Sequence, residues 1–143
     1  MRRRRARAAL AGSTAAVVWG LQERLDQRVF HCDYSDVAVL GKALTKGRHW
    51  WALGMGVHAV NGALFGLAYD VVQKRVRRDP KATAVGMALA EHVALYPLTY
   101  FVDRRHPARN EPGVPPLLAN PRAFGQATWR HAIFGVVLGV LAS

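Results

Sequence analysis

His58-Ala-Val-Asn-Gly62-Ala-Leu-Phe-Gly66 and His131-Ala-Ile-Phe-Gly135-Val-Val-Leu-Gly139 are near copies, offset by 73 residues in a chain of 143. Each carries one histidine and two glycines at four-residue spacing, which places all three on one stripe of an α-helix. The spacing predicts one helical hairpin used twice. Around the first copy, Trp50 to Tyr69 is a run of 20 residues without a formal charge, about the length of helix that crosses ~30 Å of hydrocarbon. Three further apolar segments, 8–22, 83–102 and 124–143, complete a set of four.

Half the residues are apolar, yet the net charge is +11 and the pI near 11.1. A soluble nucleic-acid binder spreads its basic residues over a folded surface, with aromatics between them for base stacking. Here they gather in runs separated by nearly uncharged stretches, so nucleic acid is not an expected partner. Residues 1–7 and 74–81 hold 10 positive charges in 15 positions, whereas 23–49 and 103–130 hold 10 in 55. Rich and poor segments alternate as four crossings require, and the excess of Lys and Arg puts both termini on the cytoplasmic side. The tryptophans Trp19, Trp50, Trp51 and Trp129 all fall toward the opposite side, as an interfacial belt. The single cysteine, Cys32, excludes an intramolecular disulfide and a multi-thiolate metal site.

The connections differ in kind. Residues 73–82 form a tight basic turn, and 103–122 contain five prolines and read as an irregular loop. In 23–49, Ser35 or Asp36 is a candidate cap for a short interfacial helix over Val37–Leu44. The expected fold is all-α, a single membrane domain over 1–143. Its two halves, about 8–72 and 83–143, form a four-helix transmembrane bundle of two same-orientation hairpins.

Small-residue stripes supply close packing where lipid offers no hydrophobic drive for helices to associate. Gly54, Gly62, Gly66, Gly86, Gly135 and Gly139 are assigned that role. Groups that ionise or hydrogen-bond within the apolar segments form a candidate intramembrane cluster: His58, Asn61, Glu91, His92, Arg130 and His131. Counting residues places Asn61 and Glu91 at one depth, with Arg130 in reach of Glu91. The cluster is open to three readings: interhelical hydrogen bonds that fix register, a site for protons, cations or a solute in a small transporter or channel subunit, and axial ligation of a b-type haem by His58 and His131. Arg2, Arg3, Arg4, Arg5, Arg75, Arg77 and Arg78 are expected at anionic lipid headgroups. No phosphate loop, zinc motif or nucleophile with a base at recognisable spacing occurs, so no catalytic residue, metal or cofactor is assigned.

The pattern His58-(x3)-Gly62-(x3)-Gly66-(x2)-Tyr69, the basic turn, the Gly86 helix ending near Tyr96-Pro97, and the Gly12-(x6)-Trp19-Gly20 helix together resemble the YagU-like group of small bacterial inner-membrane proteins. That resemblance implies a multi-pass inner-membrane protein without established catalytic residues. The expectation is a non-enzymatic packing or interaction protein, with a second copy or another membrane protein as partner.

Overall fold

The computed structural model describes residues 2–143, which are all-helical: six α-helices and one 3-10 turn, with no strand among the described residues. Helix α1 runs from Arg2 to Phe30. It takes in residues 23–30, expected in a connection, because no proline or glycine interrupts it after Gly20. Helix α2, Asp36–Leu44, starts where Ser35 accepts the backbone N–H of Ala38, satisfying a donor that the first turn leaves orphaned. Helix α3, Trp50–Val76, ends with Arg77 in the left-handed region. Helix α4, Pro80–Leu95, is capped by Asp79.

The third apolar segment is not one unbroken helix. A 3-10 turn at Tyr96–Leu98 separates α4 from α5, Thr99–Arg105, because Pro97 supplies no N–H to continue the ladder. Helix α6, Pro121–Ala142, is capped by Asn120. By length and composition, α3 and the rod formed by α4 and α5 are apolar enough to cross a membrane.

α1 packs along both α3 and α6, α4 packs along α6, and α3 and α4 touch little beyond their shared turn. The two hairpin seams match at the 73-residue offset. A side chain at Gly62 would strike the backbone of Gly12, and one at Gly135 would strike Val85. Likewise Gly66 abuts Ala8, and Gly139 abuts Lys81. Gly54 serves a different contact, lying against Val37 of α2. Gly86, read as a packing glycine, faces open space.

Nor does α2 lie flat as an isolated surface helix. Its Val37, Ala38 and Gly41 are buried, with Gly41 pressed on Trp50 at the start of α3. The proline-rich loop closes over it, Gly113 O accepting from Ser35 N at 3.0 Å and His106 Nε2 lying 2.8 Å from Val39 O.

The arginines of the N-terminus and the α3–α4 turn share the opposite end of the molecule. There Arg4 Nε lies 2.6 Å from the buried Asp70 carboxylate, which also binds Lys74. Arg7 donates to Leu141 O at 3.0 Å.

Candidate functional site

The polar interior begins with Arg130, fully buried on α6. A buried guanidinium requires charged acceptors that match its fork, and α1 provides them. Arg130 Nε and Nη2 donate to the two oxygens of Asp26 at 2.7 and 2.6 Å. Nη1 donates to Asp36 at 2.9 Å and Nη2 to Tyr34 O at 2.8 Å. Glu23 is farther, at 3.4 Å. Gln22 and Gln126 also donate to Asp26. Arg130 therefore does not pair with Glu91. Its partners are carboxylates of segment 23–49 that α1 and α2 carry inward.

Glu23 joins this network to the fold of α2. One oxygen accepts the backbone N–H of Asp36 at 2.8 Å and of Val37 at 3.3 Å, and the other accepts the Ser35 hydroxyl at 2.5 Å. Burial, and then the neighbouring Asp36 charge, push the Glu23 carboxyl up from 4.5 to about 7. Burial is the largest influence on Asp36 as well and acts upward, but Arg130, together with His58, the Tyr34 hydroxyl and His131, outweighs it and holds that carboxyl below its ordinary range.

A raised carboxyl pKa means that the folded state binds the proton more tightly than the unfolded state. Its stabilising contribution is complete below 4.5 and is lost as pH rises through about 7. The stability that Glu23 contributes is thus expected to fall across that window. Glu23→Gln mimics the protonated acid toward Ser35 and the α2 backbone, so the midpoint of the wild type relative to this variant is expected to fall between pH 4.5 and about 7 in a thermal-melt series.

Beside the network lies a cavity of about 280 Å³. Trp19 of α1 lines it and is buried rather than placed in an interfacial belt. Its indole N–H donates to Asp36 at 3.0 Å. Its ring meets His58 edge-on at 5.0 Å and His131 at 4.5 Å. A porphyrin ligated by both histidines would have to displace that indole. His92 lies 4.8 Å from His131 and 3.0 Å from the Thr128 hydroxyl.

The pair Trp19/His58 and the pair His92/His131 are equivalent under the 73-residue offset. Of the six residues expected to cluster, His58, Asn61, Glu91, His92 and His131 line this one cavity. Arg130 stands outside its lining. Asn61 and Glu91 are exposed at the rim, and His131 Nε2 is 4.0 Å from Glu91.

The two inter-hairpin seams explain the cavity. Arg130 of α6 ties to Glu23 and Asp26 of α1, and the residues 73 positions away are Val57, Tyr96 and Thr99. The α3–α4 seam therefore has no ion pair at the level where the α1–α6 seam is locked. It stays apart, and the space between is walled by rings of Trp19, Phe65, Tyr96, Phe124 and Phe134.

Sequence reasoning missed Trp19, Asp36, Glu23 and Asp26 as interior residues. A signal was available, since Gly12, Ala16, Trp19, Glu23 and Asp26 continue one helical stripe in steps of four and three. No family model, curated protein or solved structure matches the chain.

Proposed function

We propose that the chain is a four-helix transmembrane bundle of two same-orientation hairpins, held in a bacterial inner membrane with both termini cytoplasmic. Within it, the cavity between α3 and α4 is the working part of a non-enzymatic binding protein. The observation that carries this reading is the distribution of polarity. Leu10, Leu21, Val60, Leu64, Val93 and Phe101 are all more than half exposed, whereas Arg130, Asp26, Asp70 and Gln126 are buried. A water-soluble domain of this size keeps such apolar groups inside and does not expose large contiguous apolar patches. A chain solvated by lipid does the reverse. The basic runs 2–7 and 74–81, dense in arginine and sharing one end, suit anionic headgroups there.

A transport role is the second reading, favoured by Glu91 at the cavity rim beside His131. The resemblance to the YagU-like group agrees with the inner-membrane placement.

Cys32 offers a direct test, because it is the single cysteine and lies just beyond α1, at the end away from the basic runs 2–7 and 74–81. A membrane-impermeant maleimide is expected to label Cys32 in intact spheroplasts. In the Cys32→Ser, Ser143→Cys variant, labelling is expected only after lysis. The opposite pattern would overturn the orientation, and release by alkaline carbonate would overturn the membrane reading.

A further inference from the structure

Resting on the proposed lipid-embedded cavity, we infer that its ligand is a lipophilic amine, an apolar or aromatic body carrying a protonated nitrogen that enters sideways between α3 and α4.

The route follows from packing. α3 and α4 part beyond their shared turn, and the cavity opens between them with Asn61 and Glu91 on its rim. In hydrocarbon both side chains are costly without a partner, and neither makes a hydrogen bond among the described residues. Glu91 has only the contact with His131 Nε2 at 4.0 Å, beyond hydrogen-bond range.

The head class follows from the chemistry of the open positions. The Glu91 carboxylate accepts, and the Asn61 amide offers an acceptor oxygen beside its own N–H donors. His58 Nε2, buried without a partner, accepts in its Nδ1–H tautomer. Asp36, the other carboxylate on the wall, is already occupied by the Trp19 indole, the Tyr34 hydroxyl and Arg130. Among the described residues no lysine or arginine lines the cavity, so an anionic head would find no counter-charge there. An ammonium group has donors only and matches three free acceptors; a hydroxyl brings one donor and leaves acceptors unmet.

The body class follows from the walls. Trp19, Phe65, Tyr96, Phe124 and Phe134 present ring surfaces that suit an aromatic body and, close to the head, a cation. A volume of about 280 Å³ holds a compact ligand, at the low end of small-molecule pockets.

Three probes with one body and different heads test this: 2-naphthylethylamine, 2-naphthylethanol and 2-naphthylacetate. Each is titrated by calorimetry into the full chain in nanodiscs at neutral pH. The amine is expected to bind saturably and roughly tenfold or more tightly than the alcohol, with the carboxylate weakest. Glu91→Gln is expected to erase the preference for the amine while leaving the thermal midpoint unchanged, because Glu91 is exposed and its 4.0 Å contact with His131 is beyond hydrogen-bond range.

Equal binding of amine and alcohol, or an amine preference that survives Glu91→Gln, would overturn the amine assignment but keep the cavity as a site. A second variant, Ala127→Phe, fills the cavity from α6 and is expected to remove all binding. Failure of every probe to bind the wild-type chain would overturn the binding-protein reading itself.

Discussion

Arg130→Ala is expected to destabilise the folded chain by roughly 3–5 kcal/mol, the cost of removing one partner from a buried ion pair. Among the described residues the guanidinium is the sole cation facing Asp26 and Asp36 within salt-bridge distance, and it also faces Glu23. Its loss leaves the Asp26 carboxylate, 1% exposed, with only the amides of Gln22 and Gln126. The thermal midpoint of the detergent-solubilised protein reads the loss. Arg130→Lys keeps the charge but not the planar fork, and is expected to fall between wild type and alanine. Because the network fastens α1 to α6 and to the start of α2, its removal should also increase proteolysis between Phe30 and Asp36. An unchanged melting midpoint would show that the network does not hold this seam.

The second large effect is expected from Gly62→Val. At this point α1 and α3 approach backbone to backbone: a Cβ on Gly62 would overlap the Gly12 carbonyl, and one on Gly12 would overlap that of Gly62. Neither obstacle is a flexible side chain, so the helices must separate and lose contact along the whole seam. Overpacking of this kind costs about 1–3 kcal/mol, and the top of that range is expected here. Gly86→Val is the control, since the same side chain meets open space. It is expected to stay within about 0.5 kcal/mol of wild type. Both midpoints are measured in the same thermal melt. Equal effects at the two glycines would contradict the seam.

Much of the helical framework was legible because its signals are local. The His-(x3)-Gly-(x3)-Gly stripes mark the faces of α3 and α6 that meet α1 and α4, and Ser35 announces the start of α2. Where the reading went astray, the deciding contact lay elsewhere in the chain. Charge at Glu23 and Asp26 suggested a solvated connection, yet α1 continues through both because Arg130, more than 100 positions later, neutralises them. Pro97 breaks the third segment for a local reason that apolar length alone concealed. Trp19 has the composition of a belt residue, but its indole N–H is satisfied inside by Asp36, which allows the ring to be buried.

From the sequence alone came helicity, the 73-residue repeat and the crowding of basic residues into the short runs 2–7 and 74–81, since each is a pattern along the chain. Tertiary structure alone decided which inter-hairpin seam closes. The repeat is symmetric in its glycines and histidines, but a buried charge must find a partner across space. Arg130 finds three carboxylates on one side, whereas Val57, at the equivalent position, has nothing to bind. One seam is locked, the other stands open, and the cavity is the difference between them.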